Sequence, residues 1–146
     1  MEHTADLGLE VQAPDLSELF RRGALGAMWL VLEREPVQEG DPVHFPPVLR
    51  RLELVEEDFS SLFRSWLRTL LFWEETEGFV SEEIRLAFAP SPSCSSPDGQ
   101  AFGLTAQVSG LIDEGPRVRE IKGVTLHGLR IERRDEGWWG RVIFDV

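Results

Sequence analysis

The sequence predicts an α+β fold, a single domain of 146 residues in which two amphipathic helices pack on a mostly antiparallel sheet. Apolar residues recur every three or four positions in two segments, which is the period of a helix with one buried face. Apolar and polar residues alternate elsewhere, which is typical of strands with one buried face. A composition of 42% hydrophobic and 28% charged residues suits one globular core.

The first two elements are a strand and a helix. Residues from Leu7 to Ala13 alternate between apolar and polar, so we predict a strand there. Asp15 follows as the N-cap of a helix whose apolar residues continue at helical spacing to Val31. Glu18, three residues after Asp15, completes the sequence pattern of a capping box.

A second helix is predicted from Asp58 to about Glu77, after partial alternation from Leu49 to Val55. The segment Asp-Leu-Ser-Glu-Leu-Phe-Arg from Asp15 matches Asp-Phe-Ser-Ser-Leu-Phe-Arg from Asp58 at five of seven positions. Two explanations are open. Either the chain contains a duplicated unit, or both helices use the same common capping solution.

The second half of the chain is predicted to be mostly strand. The predicted strands run from Phe79 to Ala89, Ala101 to Ile112, Arg117 to Arg133 and Trp138 to Val146, with a hairpin turn at residues 135–137. The Pro- and Ser-rich segment at about 90–99 is predicted to be a mobile surface loop. It carries the single cysteine, Cys94, which we interpret as an exposed thiol.

Composition excludes several classes of function. A formal net charge of -11 disfavours direct binding to a nucleic-acid backbone. One cysteine excludes an internal disulfide and a multi-thiolate zinc site. The apolar runs are shorter than the ~20 residues of a membrane-spanning helix, and the first residues do not resemble a signal peptide. We therefore expect a cytoplasmic protein without a membrane contact.

The two chain ends carry acidic residues that suit a cation. The segment His-Thr-Ala-Asp ends at Asp6 just before the first strand, and the last strand closes with Asp145 and Val146. If these strands are neighbours, both aspartates and the α-carboxylate of Val146 bring about three negative charges together, which a hard divalent cation would stabilise. The alternative is that each aspartate is a solvated residue at a strand end.

Other polar and aromatic residues have both functional and structural explanations. Glu120, Lys122 and His127 lie on the predicted strand 117–133. A lone lysine is ordinarily a solvated charge, and a lone histidine is ordinarily a hydrogen-bonded structural residue, because a zinc site needs several ligands. Trp138 and Trp139 are adjacent and face opposite sides of a strand, so we predict that one of them lies at a contact surface.

Four segments of the chain, in their order along the sequence, resemble the archease family, and the resemblance covers essentially the whole chain. They are His-Thr-Ala-Asp ending at Asp6, Trp-Leu-Arg-Thr-Leu-Leu-Phe from Trp66, Glu-Ile-Lys-Gly-Val-Thr-Leu-His-Gly-Leu from Glu120, and the closing Asp-Val. The resemblance implies an α+β fold of duplicated strand-helix-strand-strand units, one set within the other. It also implies a protein that is not itself an enzyme but activates the RtcB-type RNA ligase.

That ligase joins a 2′,3′-cyclic phosphate or 3′-phosphate end to a 5′-hydroxyl end in tRNA splicing and RNA repair. By resemblance, the activator promotes guanylylation of the ligase's active-site histidine and multiple turnover, and it meets RNA only through the ligase. The resemblance further implies a bound divalent cation, calcium in the family, with magnesium or manganese also suited to oxygen ligands. Its ligands map onto Asp6, Asp145 and Val146.

The same resemblance makes Lys122 and His127 candidates for contacting phosphate or an acidic group in the ligase site. The chain departs from the family pattern at four positions, and if acids there complete the metal shell or the ligase contact, we expect weaker metal binding or a divergent ligase. Ser65 and Thr69 stand where acids are common, Leu111 where a glutamate is frequent, and Leu126 where tyrosine is usual.

Two other classes of function are open from the sequence. One is a general protein-interaction or chaperone-like module, which the acidic surface and the candidate exposed tryptophan indicate. The other is a metal-dependent hydrolase that uses Asp6 and Asp145. The sequence offers the hydrolase little, because none of the usual hydrolase motifs accompanies these aspartates.

Overall fold

Residues 6–34, 47–96 and 99–146 are described by the computed structural model, with the backbone alone for 90–96 and 99–101. The elements are β1 (Asp6–Ala13), α1 (Leu16–Leu32), β2 (Val48–Glu56), α2 (Phe59–Glu77), β3 (Phe79–Ser96), β4 (Gly99–Ile112), β5 (Gly123–Val124), β6 (Arg130–Arg134) and β7 (Gly137–Asp145). The predicted α+β class and both predicted helices are confirmed.

The strands form two antiparallel sheets. In the first, here called the terminal sheet, β7 pairs with β1 on one side and with β5 and β6 on the other. In the second, the inner sheet, β4 lies between β2 and β3. Each sheet is built from the same order of elements, a strand, then a helix, then a hairpin. The last strand of the hairpin lies at the centre of its sheet. The unit β2-α2-β3-β4 is inserted into the unit formed by β1, α1, β6 and β7, which is the nested arrangement that the resemblance implied.

Both helices begin after an aspartate, as predicted. The Asp15 carboxylate accepts a hydrogen bond from the Glu18 amide at 2.8 Å, and the Asp58 carboxylate accepts one from the Ser61 amide at 2.7 Å. Glu18 does not complete the predicted capping box, because its carboxylate binds the Arg21 guanidinium instead, with 2.8 Å between Nε and Oε2. The Arg21 guanidinium offers this carboxylate an opposite charge and two N–H donors, whereas the N-cap amide offers a single neutral donor. Within the described ranges, no helix combines the length and apolarity needed to cross a membrane.

The core lies where the two helices pack against each other between the sheets. Helix α1 contacts β1, β7 and β3, and α2 contacts β2, β3, β4, β5 and β6. The buried rings of Phe20 and Phe63 meet edge to face with 5.0 Å between centroids, and Trp66 Nε1 donates to the Phe20 carbonyl at 2.9 Å. A Cβ at Gly23 would lie 2.6 Å from the Phe63 ring, so glycine at this position permits the close approach of the helices.

The predicted continuous strand from Arg117 to Arg133 is wrong. Residues 113–122 are irregular and cross the end of α1, where the Val118 amide donates to the Val31 carbonyl at 3.0 Å. Strand β5 has two residues, and the turn that follows it has Gly128 at a φ of 69°. Pairing to a neighbouring strand is replaced here by bonds to the helices, which a residue pattern along one segment does not reveal. The predicted turn between the last two strands is present, with residues 135 and 136 joining β6 to β7.

The predicted loop at 90–99 is wrong for most of its backbone. Strand β3 continues to Ser96 and β4 begins at Gly99, and these two residues are partners in the hairpin. A register irregularity between Pro90 and Ser95 separates this end from the regular part of the ladder. Residues 97 and 98 and the Cys94 side chain lie outside the described parts of the chain. Backbone pairing does not require apolar side chains, which is why polarity alone mispredicted the segment.

The prediction that Trp138 or Trp139 is exposed is also wrong. Trp138 is half-buried and packs edge to face against Phe59, with 5.9 Å between centroids. Trp139 is buried, and the Arg134 guanidinium lies 3.9 Å from its ring centroid. A cationic side chain therefore covers the ring that faces outward from the terminal sheet.

Candidate functional site

The first and last strands bring two carboxylates together at one end of the terminal sheet. β1 and β7 pair along their lengths in a register that places Asp6 directly opposite Asp145. Phe144 is fully buried, so strand alternation directs the Asp145 side chain to the opposite, outer side of the sheet. Residues in such positions have Cβ atoms about 4.5–5.5 Å apart, and like charges at that separation repel. We call Asp6 and Asp145 the carboxylate pair.

Asp145 is the more enclosed member of the carboxylate pair. Its Oδ1 atom is shielded from solvent and accepts no hydrogen bond from the described residues, whereas Asp6 is exposed. Gly123 lies opposite Asp145 on its other side, and a Cβ at that glycine would be 4.0 Å from the Asp145 Cβ. A buried carboxylate oxygen without a donor is costly, and a bound cation would offset that cost.

The donor chemistry at this end of the sheet fits a hard cation. Asp6 and Asp145 offer carboxylate oxygens, and the half-buried Val146 that follows offers main-chain oxygen. Calcium, magnesium and manganese accept such ligands, whereas zinc prefers nitrogen and sulfur. In the part of the chain that the structure describes, no three His, Cys, Asp or Glu side chains converge. His3 lies outside the described residues.

Lys122 reaches the carboxylate pair through its backbone, and its side chain lies elsewhere. Its amide donates to the Asp145 carbonyl at 2.7 Å. Its exposed side chain lines an open pocket of about 450 Å³ between helix α2 and the segment 121–124. We call this the α2 pocket. It is lined by Leu54, Ser65, Arg68, Thr69, Leu71, Phe72, Glu75, Ile121, Lys122, Gly123 and Val124.

One face of α2 and one tethered segment form the walls of the α2 pocket. Ser65, Arg68 and Phe72 recur at helical spacing and so share a face of the helix. The opposite wall is secured by Arg64, whose Nε donates to the Val124 carbonyl at 2.7 Å. This tether is not predictable from a residue pattern, because it joins residues 60 positions apart.

His127 lies neither at the carboxylate pair nor in the lining of the α2 pocket. It lies in the turn after β5, and it is exposed. Its carbonyl accepts a bond from the Thr125 hydroxyl at 3.4 Å, while the Leu129 amide donates to the Leu126 carbonyl at 3.3 Å. The geometry thus separates His127 from the lining of the α2 pocket, and its contact with a ligase stays a prediction.

The residues that depart from the family pattern have local roles. The Ser65 hydroxyl donates to Glu56 Oε1 at 2.8 Å, and the Thr69 hydroxyl donates to the Ser65 carbonyl at 2.8 Å. An acidic group therefore lies beside Ser65 even though position 65 is not acidic. Leu111 is half-buried opposite Val80 in the inner sheet, and Leu126 is exposed.

A buried ion cluster holds the segment that leads to Lys122. Asp113 is only 4% exposed and accepts two bonds from Arg34, Nη1 to Oδ2 at 2.9 Å and Nη2 to Oδ1 at 3.0 Å. These bonds raise the pKa of the Arg34 guanidinium above its ordinary value. Arg117 Nε donates to Glu74 Oε1 at 2.9 Å. The cluster fixes the chain where it leaves the inner sheet and crosses toward β5.

The ion cluster was missed from the sequence, although one signal was present. Glu74 continues the apolar spacing of Leu67, Leu70 and Leu71 on α2, and it is buried. A charged residue at a core position of a helix is rarely left without a partner. Its partner is not predictable, because Arg117 lies 43 residues away.

The chain is similar to archeases along its whole length. The profile of the Archease protein family (MTH1598/TM1083) matches residues 1–146. The protein archease of Thermococcus gammatolerans is 30% identical over 138 residues, which are 94% of this chain and 89% of that protein. The protein archease of Methanothermobacter thermautotrophicus is 30% identical over 144 residues, 98% of this chain and 94% of that protein.

Two solved structures share the architecture. The solution structure of protein 1598 from Methanobacterium thermoautotrophicum has a TM-score of 0.70 at 29% identity, covering 100% of this chain and 96% of that chain. The crystal structure of a Thermotoga maritima archease, titled a possible chaperone, has a TM-score of 0.57 at 21% identity, covering 100% and 94%. Two helices with antiparallel sheets are thus the fold of archeases.

Proposed function

The chain belongs to the archease family, and we propose from this premise that it is a non-enzymatic activator of an RtcB-type RNA ligase in tRNA splicing and RNA repair. It promotes guanylylation of the ligase histidine and supports multiple turnover, and it does so in the cytoplasm. The observation that carries the proposal is the register that sets Asp6 opposite Asp145. This register assembles carboxylates from both chain ends at one edge of the terminal sheet.

A divalent cation, calcium first and magnesium or manganese next, is the proposed cofactor. Asp6, Asp145 and Val146 would hold it through oxygen atoms. The solvent-shielded Oδ1 of Asp145, which has no donor among the described residues, supports this assignment. A bound cation would neutralise the carboxylate pair and present positive charge to a phosphate or carboxylate of the partner.

The proposed contact with the ligase is protein to protein. Lys122, and His127 at the exposed turn, are the candidate contacts with phosphate or an acidic group of the ligase. A formal charge of -11 favours docking on a basic surface at a rate that falls with salt, and it leaves RNA to the ligase.

The proposal is tested by a ligation time course with an RtcB-type ligase in excess RNA, following guanylylated ligase and joined product together. We expect the wild-type chain to convert one turnover into many. Asp6→Ala and Asp145→Ala are expected to abolish this effect while retaining the fold, because their side chains face away from the core. Glu10→Ala is the matched control, since it removes an exposed acid from the same strand.

Two results would count against the proposal. One is the absence of any change in ligase turnover on addition of the wild-type chain. The other is full activation by both aspartate variants, which would leave the family function intact but remove the carboxylate pair from it.

A chaperone-like module is a second candidate, supported by exposed aromatic side chains. Trp29 on α1 is 52% exposed and Phe72 on α2 is 61% exposed. Large exposed apolar groups are typical of surfaces that bind other proteins. Suppression of thermal aggregation of citrate synthase separates the two functions. Suppression that survives Asp6→Ala but is lost in Trp29→Ser would favour the chaperone function.

A further inference from the structure

The α2 pocket contains two positive charges that the fold itself does not use. Within the described residues, the side chains of Arg68 and Lys122 form neither an ion pair nor a hydrogen bond, and both are exposed. Lys122 is also the only lysine in the chain. Eight other arginines pair with acidic side chains, so most of the cationic groups of the chain are already engaged.

An exposed aromatic ring lies beside these charges. Phe72 is 61% exposed and stands one helical turn after Arg68 on the same face of α2. The buried side chains of Leu71, Ile121 and Val124 line the same pocket and make its floor apolar. Exposing a large ring next to an apolar floor is unfavourable in water, and an apolar group of a partner would cover both.

The polar groups of the pocket restrict the chemistry of its occupant. The hydroxyls of Ser65 and Thr69 already donate to Glu56 and to a helix carbonyl. Arg68 and Lys122 are thus left as the donors, and both are cationic, so the pocket favours an anionic occupant.

The amount of negative charge is limited as well. Glu75 lines the pocket, so the side chains that line it carry a net charge of only +1, two cations against one carboxylate. The whole chain carries -11. A polyphosphate or an RNA strand would be repelled at longer range, whereas one or two carboxylates beside an apolar side chain match the pocket.

We infer that the α2 pocket binds an acidic segment of a partner protein. An apolar side chain of the segment packs on Phe72, and its carboxylates pair with Arg68 and Lys122. The inference deepens the proposed function and rests on it only for the identity of the partner, which would be the ligase. The acidic exterior of the chain contacts a basic surface of the partner, whereas the cationic α2 pocket contacts an acidic segment. These two contacts of opposite polarity together fix the orientation of docking.

The pocket is tested without any ligase, by nuclear magnetic resonance titration of the labelled chain. The probe is the acetylated and amidated peptide Gly-Asp-Phe-Leu-Asp-Gly. We expect saturable shifts at the amides of Arg68, Phe72 and Lys122, and a loss of affinity of about tenfold or more in Arg68→Glu and in Phe72→Ser. Arg85→Ala is the control, because Arg85 is an exposed arginine of the inner sheet outside the pocket.

Three further probes define what would overturn the inference. Two control peptides are expected to bind at least tenfold more weakly. Gly-Lys-Phe-Leu-Lys-Gly lacks the carboxylates, and Gly-Asp-Ser-Ser-Asp-Gly lacks the apolar side chains. Stronger binding of a ten-nucleotide oligouridylate at these amides would assign the pocket to RNA and overturn it. Absence of saturable shifts with the acidic peptide, or equal binding by Phe72→Ser, would also overturn it.

The ligase assay separates this inference from the proposed function. Peptide binding that is lost in Arg68→Glu, together with reduced ligase activation by that variant, supports both. Peptide binding that is lost while ligase activation is unchanged supports an acidic protein partner for the pocket and shows that this partner is not the ligase. Normal peptide binding by Arg68→Glu and Phe72→Ser overturns the inference whatever the ligase does.

Discussion

Among single residues, Asp145 is the one whose energetic effect the proposed cation would change most. Without a cation, its charge faces Asp6 across the β1–β7 pair, and its Oδ1 is buried with no donor from the described residues. With the proposed cation bound, the same charge would become a ligand. A substitution that removes the charge but keeps the shape should therefore act in opposite directions in the two conditions.

We predict this reversal for Asp145→Asn. In the presence of a chelator, the variant should unfold at the same temperature as wild type or a higher one. In millimolar calcium, wild type should be stabilised, by about 2.7 kcal/mol when calcium reaches a hundred times its dissociation constant, while the variant should not. Thermal unfolding followed by circular dichroism measures both conditions. Glu10→Gln serves as the control, and an equal calcium response in Asp145→Asn would contradict the prediction.

Glu18 provides a residue-level prediction for pH. Its hydrogen bonds with Arg21, the largest cause, and with Arg22 lower the pKa of the Glu18 carboxyl from 4.5 to about 2. A lowered pKa in the folded state means that the pair stabilises the fold above pH 4.5 and loses this contribution as the pH falls toward 2. Because both arginines are partly exposed, we expect about 1 kcal/mol or less.

Glu18→Gln should thus lower the free energy of unfolding near pH 7, and its difference from wild type should disappear between pH 4.5 and 2. Urea denaturation at a series of pH values measures this difference. Glu53→Gln, at an exposed position on β2, should show no such pH-dependent change. A difference between Glu18→Gln and wild type that grows as the pH falls would refute the assignment.

At the level of elements, the two nested units have an arginine at the same position, and this arginine binds a different partner in each unit. Arg21 and Arg64 stand at matching positions of the similar helix starts. Arg21 is held by Glu18 in its own helix, whereas the matching position in the second helix is Ser61, and Arg64 instead binds the Val124 carbonyl. The absence of a local carboxylate leaves Arg64 free to reach β5, so one residue difference between the units tethers the wall of the α2 pocket.

We predict that Ser61→Glu draws Arg64 back into its own helix. The Asp58 cap binds the backbone at position 61 and is unaffected, and an acid in the first turn is favourable, so stability should change by less than about 0.5 kcal/mol. Loss of the Val124 contact should loosen β5. Hydrogen exchange at the Thr125 amide, which donates to Ile143, should accelerate about five- to tenfold.

The matched control is Glu18→Ser, which releases Arg21 in the other unit and should leave exchange at Thr125 unchanged. Unchanged exchange in Ser61→Glu would show that Arg64 does not hold β5 in place.

Helix boundaries were predictable because their signals are local. Asp15 and Asp58 cap helices through bonds to residues three positions ahead, and a pattern along the chain contains that information. The strand predicted over 117–133 failed because Arg117 and Val118 bind helices that are distant in sequence. The hairpin end near Ser96 was missed for a related reason, since a strand can be held by its partner's backbone alone.

At the scale of the whole molecule, the candidate site is assembled from three distant parts of the chain. β1 contributes Asp6, β7 contributes Asp145, and the segment 113–124 contributes Lys122. From the sequence, the meeting of the two ends was only a condition for a cation site, and the pairing of β1 with β7 fulfils that condition. The position of the Lys122 side chain could not be predicted. It lies on the helix side of β5, and this position depends on how the segment 113–124 crosses the molecule.

The ion cluster holds the segment 113–124 where it crosses the molecule. Loss of the cluster should therefore lower the free energy of unfolding and also weaken the local protection of this segment. Asp113 is 4% exposed, and it bridges Arg34, at the end of α1, to Arg117 in the crossing segment, with Nη1 of Arg117 3.7 Å from Oδ1. Removing one partner of a buried ion pair leaves the other charge uncompensated, which costs about 3–5 kcal/mol. Arg34 is partly exposed, so the lower end of that range applies.

We therefore predict that Asp113→Asn lowers the free energy of unfolding by about 3 kcal/mol, measured by urea denaturation. The neutral amide keeps the shape of the side chain but presents its own donors to two guanidinium groups. Because the crossing segment leads to β5, exchange at the Lys122 amide should accelerate more than exchange in the inner sheet. Glu114→Gln, at the exposed neighbouring position, is expected to change neither quantity. A loss below about 1 kcal/mol, with Lys122 still protected, would mean that apolar packing of Ile121 and Val124 holds the segment without the cluster.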